Sequence, residues 1–220
     1  MAQIQKEHIR KSILQGGREL FALQGYNRTS ISEVAGRTGL SVGNIYRYFD
    51  GKEGLLLEIL PPEFTVTLRK RMEQKIFAGS RDIPLPLEAQ RKSTSYREGN
   101  LDFMNFLLEN RYELLILFKH PGGTPYETFK DELLDLWVEL VLRRIGPPSG
   151  RQSTGKPGMQ QKFDHNRKLL RILFEGYIAL CMTVLVEGGE DEDMIDCLMR
   201  INRYHLAGIA AIMEEPGEER

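Results

Sequence analysis

Apolar residues recur at spacings of three and four along almost the whole chain, and the strict alternation of a half-buried strand is nearly absent. A repeat near 3.6 residues is typical of helices that bury one face. We therefore predict an all-α fold of about nine helices. They are expected near 4–24, twice within 30–49, and near 52–77, 87–109, 111–119, 125–145, 162–187 and 191–214.

Proline and glycine interrupt this helical pattern at four places. Pro61 and Pro62 fall inside the helix that begins near Lys52, and a proline there removes a backbone donor and clashes with the preceding turn. We therefore expect a kink or break at this point. Residues 83–87 (IPLPL) predict a connector, residues 121–123 a turn, and residues 146–158 (GPPSGRQSTGKPG) a flexible loop.

The stretch 29–56 predicts a helix-turn-helix. Thr29 or Ser30 can cap the first helix, because a hydroxyl accepts a hydrogen bond from an otherwise unpaired backbone N–H. Gly39 lies where this helix must end, and glycine enters the left-handed conformation of such a turn without a steric penalty. Ser41 is placed to cap the second helix. Such a motif places the first turn of its second helix in the DNA major groove.

The second helix of this motif carries the residues suited to DNA. Gly43 allows close approach of the backbone, Asn44 offers an amide, and Arg47 could form two hydrogen bonds with guanine. Ile45 and Phe49, four residues apart, are expected to face the core instead. The candidate DNA-binding residues are Thr29, Ser30, Ser41, Val42, Gly43, Asn44, Tyr46, Arg47, Tyr48 and Lys52.

Residues 5–60 resemble the DNA-binding domain of the TetR/AcrR family of transcriptional regulators. The family pattern combines L-F-x-x-x-G-Y, T-(T/S)-(V/I)-x-x-(I/V)-A and G-(V/L)-S-x-G-x-(L/I)-Y-x-(Y/H)-F-x-x-K-x-x-L. The chain supplies Leu20, Phe21, Gly25, Tyr26, Thr29, Ser30, Ile31, Val34, Ala35, Gly39, Leu40, Ser41, Gly43, Ile45, Tyr46, Tyr48, Phe49, Lys52 and Leu55. The resemblance implies that four residues contact phosphates: Thr29, Tyr46, Tyr48 and Lys52. It implies that four others contact bases: Val42, Gly43, Asn44 and Arg47.

The resemblance also implies an organisation and a function. Residues 1–52 would form the DNA-binding domain, and residues 53–220 a helical ligand-binding and dimerisation domain. The last two helices would form a homodimer interface, and the protein would be a repressor released from a pseudo-palindromic operator of double-stranded DNA by a small-molecule inducer. The alternative is a similar DNA-binding protein controlled by a partner protein, without a small ligand.

The resemblance also implies that the middle helices surround an inducer pocket, and the chain offers residues there that suit an apolar or aromatic effector. Flat aromatic rings and an adaptable methionine suit such a ligand, although the same residues at helical spacing are also typical of a core. The candidates are Phe103, Met104, Phe106, Tyr126, Phe129, Trp137, Phe174 and Tyr177.

Charge is distributed unevenly along the chain. The net charge is −1, yet residues 1–52 hold eight basic and four acidic side chains. A basic N-terminal segment on a mildly acidic chain is typical of a DNA-binding domain.

Other chemistry is weakly represented in the sequence. The histidines form no ligand pair, and we see no nucleophile elbow or phosphate-binding glycine loop, so we expect no enzyme, metal or cofactor. Cys181 and Cys197 lie in apolar stretches and are interpreted as two buried, reduced thiols. We recognise no signal peptide and expect no apolar run that approaches the ~20 residues of a membrane span, so a cytoplasmic protein is expected.

Overall fold

The structure, a computed structural model, describes residues 2–78, 94–145 and 159–213. These residues form helices joined by turns, and no strand occurs among them. The all-α prediction is confirmed. The helices are α1 (Ala2–Gln24), α2 (Ile31–Thr38), α3 (Val42–Tyr46), α4 (Gly51–Ile59), α5 (Pro62–Ala78), α6 (Thr94–Glu109), α7 (Arg111–Phe118), α8 (Phe129–Ile145), α9 (Met159–Glu187) and α10 (Asp191–Met213).

One predicted helix begins later than its apolar pattern suggested. Residues 121–128 form turns, and α8 begins only at Phe129. Thr124 Oγ1 donates to the Pro121 carbonyl at 2.6 Å and accepts from the Tyr126 N–H at 3.2 Å. A hydroxyl that bonds locally to the backbone competes with helix formation, which explains the delay. The predicted connector 83–87, the predicted loop 146–158 and the start of the helix near 87 lie outside the described residues.

The chain divides into two compact units. The first unit comprises Met1–Lys70 and Glu109–Lys130, and the second comprises Arg71–Leu108 and Asp131–Arg220. The units therefore do not follow a single cut in the sequence. The predicted division into residues 1–52 and 53–220 stays a prediction.

The first unit is built around α1, which packs against α2, α4 and α7. Ile13 and Phe21 of α1 are fully buried, together with Val34 of α2 and Leu55 of α4. Each such side chain contributes about 1.5–3 kcal/mol through removal of apolar surface from water. Gly17 permits the close packing of α1 on α4, since a Cβ there would lie 2.8 Å from Leu55 Cδ2.

The predicted break at the prolines is confirmed. Helix α4 ends at Ile59, and Pro62 is the first residue of α5, a position where the missing N–H costs nothing. The carbonyl of Leu60 at the break accepts a hydrogen bond from the Tyr126 hydroxyl at 2.7 Å. Burial raises the pKa of Tyr126, and the nearby Glu63 carboxylate adds to the increase.

In the second unit α9 packs along α10. Gly188 and Gly189 join the two helices with φ values of 69° and 136°, which side-chain-bearing residues rarely adopt. Within α10, a Cβ on Gly208 would lie 3.4 Å from the methyl groups of Leu173 on α9. The two long helices therefore approach closely along this contact.

One segment of α9 corrects the expectation about apolar runs. Asp164–Glu187 is long and apolar enough to cross a membrane by length and composition, and it is the single such segment among the described residues. Its mean hydropathy is 1.9 in the most apolar window. A helix that lines a protein core passes the same test, so this finding is weak support for a membrane span.

The two cysteines differ in their surroundings. Cys181 on α9 is buried, as predicted, whereas Cys197 on α10 is exposed. The prediction of two buried thiols is wrong for Cys197, because it lies on the side of α10 that faces away from the packed core of the unit.

Candidate nucleic-acid interface

The start of α2 is fixed by a reciprocal pair of hydrogen bonds between Ser30 and Glu33. Ser30 Oγ accepts from the Glu33 N–H at 3.2 Å, and Glu33 Oε2 accepts from the Ser30 N–H at 2.7 Å. The cap is therefore Ser30 and not Thr29. The hydrogen bonds from the Ser30 backbone and hydroxyl lower the pKa of the Glu33 carboxyl. This arrangement satisfies two backbone donors at the helix start.

The turn between α2 and α3 has the geometry that the sequence predicted. Gly39 ends α2 in the left-handed conformation, with φ 69°. The Leu40 N–H then donates to the Ala35 carbonyl at 2.9 Å. Ser41 Oγ accepts from the Asn44 N–H at 3.3 Å and caps α3. Caps at both sides of the turn fix the direction of this short helix.

Helix α3 has one buried and one exposed face. Ile45 is fully buried and Phe49, just beyond the helix, is 4% exposed, so both face the core as predicted. Val42 is 38% exposed and Tyr46 is 58% exposed, so both lie on the exposed face of α3. An exposed apolar surface of this kind is typical of a contact site.

The polar candidates surround this exposed face. Arg47 follows the last residue of α3 and still has helical backbone angles. Asn44 and Tyr48 are half-buried, whereas the other candidates here are exposed, namely Ser30, Ser41, Gly43 and Arg47. The arrangement offers hydroxyl, amide and guanidinium groups beside an apolar surface.

Thr29 is placed differently from the other candidates. Its side chain is 2% exposed, and its hydroxyl donates to the Gly25 carbonyl at 2.8 Å. The hydroxyl therefore holds the turn between α1 and α2 in this structure. A contact between Thr29 and a phosphate stays a prediction.

The Lys52 side chain also forms hydrogen bonds with the turn between α1 and α2. Its Nζ donates to the Tyr26 carbonyl at 2.9 Å and to the Thr29 carbonyl at 3.0 Å. The ammonium also lies 4.2 Å from the centroid of the Tyr26 ring, which is a cation–π contact. Two of the three Nζ donors are thus used inside the protein, and one remains for a phosphate. Sequence reasoning did not foresee this second role.

Asp50 does not cap α4. Its carboxylate makes no capping hydrogen bond, although Asp50 occupies the position before the helix. Gly51 begins α4 with φ 70°, a conformation that an aspartate or serine would adopt only with strain. Gly51 therefore allows the left-handed backbone conformation at the start of α4 and does not cap the helix.

Ion pairs hold α1 against the rest of the motif. Glu19 on α1 accepts from both Nε and Nη2 of Arg37 on α2, at 3.2 Å and 2.5 Å. Hydrogen bonds from Gln15 and Arg37 lower the pKa of Glu19. Arg10 pairs with Glu58 of α4. None of these four partners was singled out from the sequence.

A further ion pair joins α1 to α7 within the first unit. Arg18 Nη2 donates to Glu113 Oε2 at 2.7 Å, and Glu113 is buried. The Arg18 guanidinium also lies over the ring of Tyr112, 5.6 Å from its centroid. The residues are separated by 95 positions, so no local motif could indicate the pair.

The eight effector candidates do not all belong to one compact unit. Tyr126 and Phe129 lie in the first unit, where Tyr126 binds Leu60 and Phe129 packs on Phe118 with ring centroids 6.1 Å apart. Both side chains therefore take part in contacts within the first unit. The other six lie in the second unit and are all buried: Phe103, Met104, Phe106, Trp137, Phe174 and Tyr177.

Three of these six meet around a histidine that the sequence did not indicate. The Trp137 and Phe174 ring centroids are 5.2 Å apart, and those of Phe174 and His205 are 5.0 Å apart. Tyr177 stacks on His205 at 4.5 Å. We call Trp137, Phe174, Tyr177 and His205 the aromatic cluster. Among the residues that the structure describes, no three His, Cys, Asp or Glu side chains form a group suited to a metal ion.

Comparison with known proteins identifies the motif. The family model for bacterial regulatory proteins of the tetR family matches residues 13–59, from the middle of α1 to the last residue of α4. Residues 13–59 therefore form a domain of the tetR family. The capped α2–turn–α3 segment described above lies wholly inside the matched region, as do all ten candidate DNA-binding residues.

Two curated relatives share parts of the chain. The uncharacterized HTH-type transcriptional regulator YuxN of Bacillus subtilis is 35% identical over 116 residues, which cover 53% of this chain and 36% of that protein. The HTH-type transcriptional regulator QacR of Staphylococcus aureus is 42% identical over 53 residues, 24% of this chain and 28% of that protein. The chain thus matches only about a third of the length of these TetR-like relatives.

Solved structures resemble the chain over more of its length. The full-length TetR regulator TylP from Streptomyces fradiae is 19% identical and covers 93% of this chain and 89% of its own, with a TM-score of 0.45. The NalD repressor from Pseudomonas aeruginosa is likewise 19% identical, covering 90% of this chain and 95% of its own, with a TM-score of 0.41.

Proposed function

We propose that this chain is a DNA-binding transcriptional regulator that acts as a homodimer in the cytoplasm. It binds a pseudo-palindromic operator in double-stranded DNA and represses transcription until a small-molecule inducer releases it. Occupancy alone produces repression, because a dimer bound across a promoter excludes the polymerase. The observation that carries this proposal is the exposed face of α3, with Val42 and Tyr46 exposed between caps on both sides of the turn.

The groups around α3 suit both parts of DNA recognition. Arg47 is exposed and has the bidentate geometry that guanine accepts in the major groove. The hydroxyls of Tyr46 and Tyr48 and the remaining donor of Lys52 suit phosphates, which fix the register of the helix on the duplex. Positively charged residues exceed acidic ones in residues 1–52, which favours approach to the DNA backbone.

The long C-terminal helices support the dimer. Ile172, Leu180 and Val186 of α9 are exposed, and so is Tyr204 of α10. Burial of these side chains against a second copy would remove a substantial apolar surface from water. Two copies of α3 about 34–36 Å apart would then read successive major grooves on one side of the duplex.

The second unit supports the response to an inducer. Six of the eight effector candidates are buried there, and the aromatic cluster brings side chains of three helices together. A ligand that binds one conformation more tightly shifts the population towards it, by no more than its difference in affinity between the two states.

Selection of bound fragments from genomic DNA, followed by fluorescence anisotropy on the recovered sequence, tests this function. Arg47→Ala should weaken specific binding by about 1–3 kcal/mol and relax the preference at one base position, while the fold stays intact. Lys70→Ala is the matched control, since it removes one exposed positive charge from α5 in the same unit, outside the matched residues 13–59. We expect its operator affinity to equal that of the wild type.

Two results would contradict the proposal. One is a strictly monomeric protein without preference for any duplex sequence at moderate salt. The other is an Arg47→Ala variant with the affinity and base preference of the wild type, which would remove the residue from the interface.

A further inference from the structure

Four helices of the second unit contribute polar or aromatic groups to one buried region. Asn100 of α6 accepts a hydrogen bond from Asn202 Nδ2 of α10 at 3.3 Å. One turn after Asn202, His205 packs against Phe174 of α9, which in turn packs against Trp137 of α8. Asn100, Asn202 and His205 are all buried. The aromatic cluster therefore continues directly into a pair of buried amides.

Two polar atoms in this region lack a hydrogen-bond partner. Trp137 is 2% exposed and Asn202 is 3% exposed. Among the described residues, neither the indole Nε1 of Trp137 nor the amide Oδ1 of Asn202 has a hydrogen-bond partner. Buried donors and acceptors are nearly always paired, because an unpaired one loses its hydration without compensation. One unpaired donor and one unpaired acceptor in the same unit are the two groups that a bound molecule would pair.

The rings around these atoms restrict the shape of that partner. Trp137 is inclined to Phe174 by 56°, and Tyr177 is nearly parallel to His205, with an interplanar angle of 25°. Aromatic faces and edges of this kind pack best against a flat molecule. The indole N–H and the amide oxygen lie in the planes of their own groups, so they favour a ligand that presents its polar atoms at its edge.

We propose that this region binds an uncharged, flat heteroaromatic molecule that accepts a hydrogen bond from Trp137 Nε1 and donates one to Asn202 Oδ1. This assignment rests on the proposed function, for which it names the chemical class of the inducer. Indole and amide groups offer hydrogen bonds without a full compensating charge, so a neutral ligand fits them better than an ion would. A purely hydrocarbon ligand would leave both atoms unpaired.

Three bicyclic probes of similar shape separate these possibilities. The probe 2-quinolone carries an acceptor and a donor on one edge, naphthalene carries neither, and 2-naphthoate carries a charge. The chain contains a single tryptophan, so the intrinsic fluorescence of the full-length protein reports on Trp137 directly. We expect 2-quinolone to change this fluorescence and to bind at least about tenfold more tightly than either other probe, the factor that about 1.4 kcal/mol of hydrogen bonding provides.

Two variants assign the hydrogen bonds, with calorimetry as the measurement because one of them lacks the fluorophore. Trp137→Phe and Asn202→Leu should each weaken 2-quinolone binding about tenfold and leave naphthalene binding within about twofold. The Met194→Leu variant is a control, since it alters a buried side chain of the same unit that is not an effector candidate and contributes neither polar atom. Its preference for 2-quinolone over naphthalene should equal that of the wild type.

The outcomes are decisive even if a variant fails to fold, because the ranking of the three probes needs only the wild-type protein. Equal affinity for 2-quinolone and naphthalene, tighter binding of 2-naphthoate, or no binding of any probe would overturn the assignment. A parallel measurement of operator binding separates the two proposals. Correct probe ranking without any effect on DNA affinity would leave the ligand class standing and remove the inducer role, whereas sequence-specific DNA binding with the wrong ranking would remove only the ligand class.

Discussion

The two compact units differ in whether their buried polar side chains have hydrogen-bond partners. In the first unit the buried polar side chains Thr29, Glu113 and Thr124 each have a hydrogen-bond partner inside the unit. In the second unit Trp137 Nε1 and Asn202 Oδ1 have none among the described residues. The buried polar side chains of the first unit are thus paired, whereas the second unit holds one unpaired donor and one unpaired acceptor among its described residues.

This difference between the units holds for whole side chains but not for every single nitrogen or oxygen atom. Arg18 Nε and Arg111 Nε of the first unit also lack a partner among the described residues. Arg18, however, binds Glu113 through another nitrogen, and the Arg111 guanidinium lies over the ring of Tyr112 at 5.3 Å. Each guanidinium therefore has a favourable contact, unlike the Trp137 indole N–H.

The largest expected effect is that of Glu113→Ala in the first unit. The substitution leaves the half-buried Arg18 guanidinium without its carboxylate, and loss of one partner from a buried pair costs about 3–5 kcal/mol. Because Arg18 is more exposed than Glu113, we expect about 2–3 kcal/mol of lost stability in denaturant unfolding. Asp196→Ala, which removes an exposed pair with Arg200, should cost below about 0.5 kcal/mol. An equal loss of stability in the two variants would show that the buried ion pair contributes no more than the exposed one.

The next effect is that of Tyr126→Phe. Its hydroxyl donates to the carbonyl of the fully buried Leu60, and removal of the donor leaves this carbonyl unpaired. We expect a loss of about 1–2 kcal/mol in thermal or denaturant unfolding. Tyr46→Phe is the control, because Tyr46 is exposed and its hydroxyl faces water. A Tyr126→Phe variant as stable as the control would show that this hydrogen bond does not hold the break between α4 and α5.

Local sequence signals predicted the parts of the fold that depend on neighbouring residues. The apolar period gave the helices, Pro61 and Pro62 gave the break, and Gly39 and Ser41 gave the turn of the motif. Each of these features arises from backbone conformation or from a hydrogen bond a few residues away. The same reasoning placed Ile45 in the core, since its position relative to the turn determines which face of α3 it occupies.

Features that depend on distant residues could not be predicted in the same way. The pair of Arg18 with Glu113 and the contact of His205 with Phe174 need the helices to be packed before they exist. Lys52 matched a motif position, yet its hydrogen bonds to two carbonyls of the preceding turn followed only from the folded geometry. The sequence therefore placed Lys52 beside the motif, whereas its contacts within the protein followed only from the structure.

A smaller effect is expected at the cap of α2. Ser30→Ala should cost about 1 kcal/mol at neutral pH, because the helix loses its N-cap. The pKa of Glu33 is lowered by its hydrogen bonds to Ser30, so the stabilisation from this pair is complete above the ordinary carboxyl pKa of the unfolded chain. It is lost as the pH falls through the lowered pKa of the folded state.

The pH dependence gives this prediction its check. The stability difference between wild type and Ser30→Ala should narrow on acidification, measured by urea unfolding followed by circular dichroism, because Ser30 Oγ donates to the Glu33 carboxylate. The control Ser32→Ala changes an exposed serine within the same helix and should leave the wild-type pH dependence unaltered. A pH-independent difference between wild type and Ser30→Ala would mean that the carboxylate of Glu33 takes no part in the cap.

The smallest expected effect lies in the second unit and tests the contrast directly. The double variant Asn100→Leu/Asn202→Leu replaces a pair of buried amides, joined by one 3.3 Å hydrogen bond, with apolar groups of similar size. Replacement of both partners is nearly neutral or stabilising, because the unpaired oxygen of Asn202 disappears with the bond. We therefore expect a free energy of unfolding within about 0.5 kcal/mol of the wild type, or above it. A loss as large as that of Tyr126→Phe would mean that these amides stabilise the fold, and the interior of the second unit would then resemble that of the first.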